Sequence, residues 1–326
     1  MQRHTFKLSN GLAAVASFLV VLTAVSTGVY SLYQHTNHAA ASMRRSAVHT
    51  TYPAPVSAAV SVPHFTHEVI ILEENHDYAQ VIGNPDMPFL NGLAKKYGLA
   101  TNYYANTHPS IGNYFMLTMG KVQTNNDSYM SMVDADNIVR QLVAAGKTWK
   151  SYAEDLPSAG FTGPSAKAYA RKHNPLSFFS DVVQNPTQKK NLVSATQFAT
   201  DVKQNTLPDY SFVIPNLKND GHDGPLATAD TWLQKTVEPY LQSPAFLSGG
   251  LLVIAFDEAE HDKAHGGGKI PLIIASPFAK KSYTSNTLYQ HQDTLRMMME
   301  GLRLTQFPGA AATAQTMAEF FTSPMQ

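Results

Sequence analysis

The chain has 326 residues, 44% of them hydrophobic and 15% charged, with 24 Lys+Arg against 24 Asp+Glu and no cysteine. That composition excludes a disordered chain, and the missing thiols exclude disulfides, so any metal must be held by oxygen and nitrogen ligands. The length allows one large core or two modest ones.

Arg3 and Lys7 precede an uncharged apolar stretch, Gly11–Tyr33. This layout predicts a signal peptide or a membrane signal anchor over residues 1–34, with the rest of the chain exported. The product is then either secreted, after cleavage near Ala39-Ala40-Ala41, or anchored to the outer face of the cytoplasmic membrane by residues 11–33. Residues 35–63, rich in Ser, Thr, Ala, Pro and His, read as a flexible linker. The charges up to residue 63 are Arg3, Lys7, Arg44 and Arg45; removing these four leaves 20 Lys+Arg against 24 Asp+Glu, a net near −4. That sign argues against binding nucleic acid through its phosphates, and membrane contact is expected only through the N-terminal segment.

From His64 strands and helices alternate. Val69–Leu72 reads as a strand ending in Glu73-Glu74-Asn75-His76. Met87–Tyr97 reads as a helix with Asp86 as N-cap and Gly98 as stop. Leu99–Ala105 reads as a strand, Ile111–Met119 as a helix closed by Gly120, Asn137–Ala145 as an amphipathic helix, and Thr148–Tyr152 as a strand. Residues 156–190 show little periodicity and read as a loop-rich cover on the sheet. Gln197–Gln204 is a predicted helix, Tyr210–Ile214 a strand and Thr231–Leu241 a helix. Two apolar runs follow, Leu251–Phe256 and Ile270–Ala275, separated by Asp257, Glu258, Glu260, His261, Asp262, His265 and the triplet Gly266–Gly268; both read as strands of a parallel sheet. Helices are expected at Gln292–Leu302 and near Ala314–Phe321. The alternation predicts one α/β domain over residues 64–326, a doubly wound, mostly parallel sheet with helices on both faces.

Parallel strands would bring four polar clusters to one sheet edge: Glu74-Asn75, Ser110, Asn216 to Asp223, and Asp257-Glu258. Each alone has an ordinary explanation. Asn219-Asp220-Gly221 is turn chemistry, and Ser110 at a helix start is placed to be an N-cap. The same position turns backbone N–H groups toward an anion. Adjacent carboxylates at a strand end repel unless a cation or a proton lies between them.

The ordered set Ile71–Tyr78 (ILEENHDY), Thr107–Tyr114 (THPSIGNY), Pro215–Asp223 (PNLKNDGHD) and Phe256-Asp257-Glu258 resembles the phosphoesterase family of acid phosphatases and phosphatidylcholine-type phospholipases C, within the alkaline phosphatase superfamily. The similarity spans nearly all of residues 64–303 and implies an alkaline-phosphatase-like fold. It also implies a divalent metal ion bound by Glu74, Asn75, Asp220, Asp257 and Glu258, with Ser110 as nucleophile. His108, His222, His265 and His291 are the candidate catalytic histidines, and Asn113 and Asn216 the candidate substrate-binding amides. Phosphoryl transfer depends on charge neutralisation and alignment, which a hydroxyl beside a cation provides. The expected partner is a phosphate ester, most simply a phosphomonoester, with the diesters of a phospholipase C as the alternative. A metal-free serine esterase and a non-catalytic surface binding protein on the same fold are further alternatives.

Overall fold

The computed structural model describes residues 61–322; the expected leader or anchor and most of the linker lie outside them. Among the described residues no helix is long and apolar enough to cross a membrane.

Among the described residues there are ten strands: β1 (Glu68–Glu73), β2 (Gly98–Ala100), β3 (Tyr103–Tyr104), β4 (Trp149–Ala153), β5 (Leu192–Ser194), β6 (Tyr210–Ile214), β7 (Leu251–Phe256), β8 (Leu272–Ala275), β9 (Tyr283–Ser285) and β10 (Tyr289–Gln290). Eight form one sheet in the order β5-β4-β6-β1-β7-β8-β2-β9, while β10 pairs with β3 in a small second sheet. The block from β5 to β7 is parallel. Every side chain of β1, β6 and β7 is buried. This is why they read as mostly apolar runs, broken only by Glu68, Glu73 and Ser211, and not as alternating ones. Truncating one of them, as in Ile254→Ala, would cost about 2–5 kcal/mol.

The run Ile270–Ala275 departs from the parallel expectation. Its strand β8 is antiparallel to both β7 and β2. The reason is the connection: residues 257–271 contain only the short 3-10 turn Ala264–Gly266 and no α-helix, whereas a parallel neighbour is usually reached by a helical crossover. The expected strand Leu99–Ala105 is two strands in different sheets, broken at Thr101-Asn102. The first long helix, Pro88–Lys96, has Met87 and not Asp86 at its N-cap. Its first amides are satisfied from a distance, because Asp230 accepts from Phe89 N and Leu90 N, each at 2.8 Å. The C-terminal helix expected near Ala314–Phe321 is reduced to a 3-10 turn, Ala318–Phe320.

Helix Ile111–Met119 is buried at all nine positions and packs on helix His291–Gly301. A helix covered all round is a rigid mount for whatever precedes its first turn. What precedes it is Ser110.

Candidate active site

Strands β6, β1 and β7 are neighbours, so the residues just past their carboxyl ends are brought side by side. Backbone bonds extend the pairing beyond the strands: Glu74 N donates to Asp220 O at 2.8 Å and Asp257 N to Glu73 O at 3.0 Å. Asn75 then turns in the left-handed region, φ 58°, a conformation asparagine tolerates better than most residues. The turn aims its N–H at Asp257 Oδ1, 3.1 Å away.

Ser110 arrives from the other side on a braced loop. Asn113 Oδ1 accepts from Asn106 N (3.0 Å) and Thr107 N (3.2 Å), while its Nδ2 donates to Thr107 O at 2.8 Å. The glycine triplet lies against the same loop, with Ala105 N bonded to Gly268 O and Gly267 N to Ala105 O. A Cβ on Gly266 would stand 2.1 Å from Asn106 O, and one on Gly267 2.6 Å from Thr107 O. Only glycine lets the two backbones approach so closely, and this approach ties the loop after β7 to the loop before Ser110. The His108–Pro109 peptide is cis. The Ser110 hydroxyl makes no capping bond to its own helix.

The hydroxyl faces acids instead. Ser110 Oγ lies 3.1 Å from Glu74 Oε2 and 3.1 Å from Glu258 Oε1, and Lys172 Nζ is 3.4 Å from the same oxygen. One hydroxyl proton serves only one carboxylate at a time. Glu74 Oε1 accepts from Tyr114 OH at 2.6 Å and is paired at 2.9 Å with His173 Nε2, whose ring stacks on Tyr114. Asp220 Oδ2 lies 3.5 Å from His173 Nδ1. Glu258 Oε2 is 2.7 Å from His108 Nδ1. Glu74, Ser110, His173, Asp220, Asp257 and Glu258 are all buried.

Burial raises every carboxyl pKa here, and neighbours decide which stays raised. For Glu74 the burial effect is outweighed by the charge and hydrogen bond of His173, with help from Lys172 and Tyr114, and its pKa is held at about 2. Burial lowers the His173 pKa, yet Glu74 and Asp220 bring it to about 9. Asp257 is pushed well above the usual carboxylate range by burial and by the charges of Glu74 and Glu258. Glu258 is raised by burial and Glu74, against the pull of His108. Lys172 is raised, the carboxylates of Glu74 and Asp127 outweighing its burial.

Four residues singled out from the sequence stand apart from the hydroxyl. His291 is fully buried, its Nε2 2.7 Å from Asp257 O and its Nδ1 2.8 Å from Tyr103 OH; burial lowers its pKa to about 4, so it is a neutral brace on the Asp257 backbone. His265 is exposed and packs on Tyr104. Asn216 bonds to Glu154 and Asp155 at the end of β4. His222 sits on the exposed side of the Asp220 loop, 2.7 Å from Asp223 Oδ1, with its N–H on Asp220 Oδ1. Conversely, Lys172, His173, Asp127 and Tyr114 were not singled out. Lys172 and His173 come from the aperiodic cover, where the basic run Arg171-Lys172-His173 was the only available signal.

A divalent cation requires several oxygen or nitrogen donors around one point. Among the described residues no three Asp, Glu or His side chains already form a ready-made metal site, because Glu74 and Glu258 are turned toward His173, Tyr114, Ser110 and His108. Yet Asp257 Oδ2 is buried without a hydrogen-bond partner, and Asp220 Oδ2 has only His173 Nδ1, 3.5 Å away. Two carboxylates also compete for the one proton of Ser110. Oxygen donors left this way suit a divalent cation of the Mg, Ca, Mn or Zn kind, so the residues fit the group that the resemblance implies. Volume does not mark the place: a hollow of 660 Å³ further along the edge, lined by Glu154, Lys167 and Trp232 among others, includes none of these side chains.

Residues 84–304 match the model of the phosphoesterase family. The chain belongs to that family. It is therefore a hydrolase acting on phosphoric ester bonds. It is 37% identical over 240 residues to the phosphatidylinositol-3-phosphatase of Mycobacterium tuberculosis, covering 73% of this chain and 77% of that protein. It is also 37% identical over 224 residues to the "Probable acid phosphatase" of Kluyveromyces lactis, covering 66% of this chain and 52% of the other, so it spans about half of that relative's length. The fold matches a solved alkaline phosphatase superfamily protein from Vibrio parahaemolyticus with a TM-score of 0.56 at 14% identity, over 82% of this chain and 75% of that one.

Proposed function

We propose that this phosphoesterase is an exported, metal-dependent phosphomonoesterase of the acid-phosphatase kind that works through a phosphoryl group on Ser110. The observation that carries this is the Ser110 hydroxyl held 3.1 Å from two buried carboxylates, Glu74 and Glu258. Its neighbours are two acids and an ammonium, not an imidazole, which disfavours a metal-free serine esterase. Glu74, Asp257 and Glu258, with Asn75 and Asp220 beside them, would hold the cation. A divalent ion there supplies positive charge that lowers the hydroxyl pKa and neutralises phosphoryl oxygens.

The chain's own groups do the rest. Glu74 or Glu258 accepts the Ser110 proton as Oγ bonds to phosphorus and the ester oxygen departs. His222, on the exposed side of the loop, is the candidate to protonate that departing alcohol. Water then gives a proton to His222 as it attacks the phosphoserine, the P–Oγ bond breaks, Oγ takes back the proton held by the carboxylate, and phosphate leaves. Each step thus takes one proton from the attacking oxygen and delivers one to the leaving oxygen. His173 keeps Glu74 ionised, and His291 fixes the Asp257 backbone.

The likeness to a phosphatidylinositol-3-phosphatase supports including a phosphorylated lipid among the substrates tried. The test is a panel of phosphomonoesters, phosphodiesters and phosphatidylinositol 3-phosphate, assayed on metal-depleted and metal-restored protein. Monoester turnover that vanishes with chelation and returns with metal supports the proposal. Turnover of diesters alone, or activity untouched by chelation, contradicts it. For export, protease added to intact cells should reach the folded domain; a domain protected in the cytoplasm removes that part.

A further inference from the structure

Lys172 reaches the nucleophile and has no part in the steps described so far. Its Nζ is 3.4 Å from Ser110 Oγ and 2.7 Å from Asp127 Oδ2. Asp127 Oδ1 in turn accepts from Ile111 N at 3.3 Å, in the residue that follows Ser110. One carboxylate therefore grips both the ammonium and the backbone beside the nucleophile. The lysine side chain is largely enclosed, at 17% exposure.

We propose that Lys172 is a catalytic residue, a fixed positive charge on Ser110 Oγ that stabilises this oxygen both when it attacks phosphorus and when it departs from the phosphoserine, with Asp127 as its positioning residue. This rests on the Ser110 reading above. In-line displacement puts the attacking and departing oxygens on opposite sides of phosphorus. An ammonium 3.4 Å from Oγ is thus on the attacking side in the first step and the leaving side in the second. The alcohol oxygen is across phosphorus from it, so Lys172 acts on Oγ and the non-bridging oxygens beside it. It does not protonate the alcohol. A preorganised charge at an oxygen where negative charge develops contributes on the order of 10²–10³ in rate.

The experiment compares the full-length protein with Lys172→Met, Lys172→Arg and Asp127→Asn on a series of aryl phosphate monoesters whose phenols run from strongly to weakly acidic. The expected result for Lys172→Met is a fall in kcat/KM of about 10²-fold, by the same factor across the series. Lys172→Arg should recover part of the loss, and Asp127→Asn should show a smaller fall of the same kind. Single-turnover rapid acid quench should show phosphorylated Ser110 both forming and disappearing more slowly in the methionine variant, because the same charge serves Oγ in both steps. A loss that grows as the phenol becomes a poorer leaving group would make Lys172 the acid for the alcohol and overturn the proposal. So would unchanged kinetics, or a loss accompanied by an equal fraction of unfolded protein in all three variants. Absence of trapped phosphoserine in the wild type would reject the Ser110 reading itself, a separate outcome that the leaving-group series does not give.

Discussion

Asp201 and Asp257 are both buried aspartates in the same sheet-and-helix framework, and their surroundings are opposite. Asp201, on helix Ala195–Gln204, receives Lys150 Nζ at 2.5 Å, Tyr152 OH at 2.7 Å, Gln197 Nε2 at 2.9 Å and Thr206 Oγ1 at 3.2 Å. Burial works against its charge, but the hydrogen bonds from Lys150, Tyr152 and Gln197 prevail and its pKa is lowered. Asp257 has one oxygen bonded to backbone N–H groups and the other bonded to nothing. Burial and the charges of two acids, Glu74 and Glu258, raise its pKa. A buried acid that serves stability is saturated by the fold; one that serves a ligand is left short of partners, at some cost to the empty protein.

The strongest way to break this contrast is at the hydroxyl between the unsaturated acids. Ser110→Ala should lower kcat roughly 10³-fold or more while inorganic phosphate still inhibits, as followed by steady-state kinetics. Near-normal turnover would reduce Ser110 to a bystander.

Asp257→Asn should also abolish metal-dependent turnover, yet for the metal-free protein it should be stabilising. The amide keeps the oxygen that accepts from Asn75 and Glu258, and it relieves the repulsion with Glu74. A rise of about 1 kcal/mol, seen as a few degrees in Tm, is expected. A lower Tm would show that this acid is as structural as Asp201.

Asp201→Asn should leave kcat/KM unchanged and cost about 2–3 kcal/mol in denaturant melts at pH 7, since Lys150 loses its partner. The folded pKa of Asp201 is lowered, so its contribution is present above the unfolded value of about 3.9 and is lost as pH falls through the folded value. The difference between wild type and variant should therefore shrink in acid. A gap that persists unchanged at low pH would argue against the ion pair.

Glu68, at the start of β1, sharpens the comparison with the smallest effect. It is buried with neither oxygen bonded, far from the site in the chain's topology, and burial raises its pKa well above the ordinary value. A raised folded pKa means a penalty that is absent below the unfolded pKa and grows as pH rises above it. Glu68→Gln should leave stability unchanged near pH 4 and raise it by about 1 kcal/mol at neutral pH, without touching activity. A fall at neutral pH would mean that the carboxylate has a partner.

Much of the frame was legible because fully buried parallel strands are written as apolar runs. Tyr210–Ile214 and Leu251–Phe256 have the bounds that their runs predict, and the polar residues after them fall at one edge. Direction was not legible in Ile270–Ala275, since an apolar run is the same read either way and only the lack of a crossover helix decides it. Nor was distant capping: no local pattern shows that Asp230 closes the helix at Pro88. Glu74, Ser110, Asp257 and Glu258 carried a signal because acids beside a strand end are chemically costly. Lys172 and His173 carried little, because they lie in a segment held by turns and side-chain contacts, where no period exists to place them. His291 illustrates the converse: its ring reaches the site only to hold a backbone carbonyl.

The central claim is that phosphorus passes through Ser110 and not directly to water. It is tested most directly by the stereochemical outcome with a chiral, isotopically labelled phosphomonoester. Two in-line displacements predict net retention at phosphorus, together with transfer of the phosphoryl group to an added alcohol in competition with water. Inversion would contradict the account and assign the attack to water.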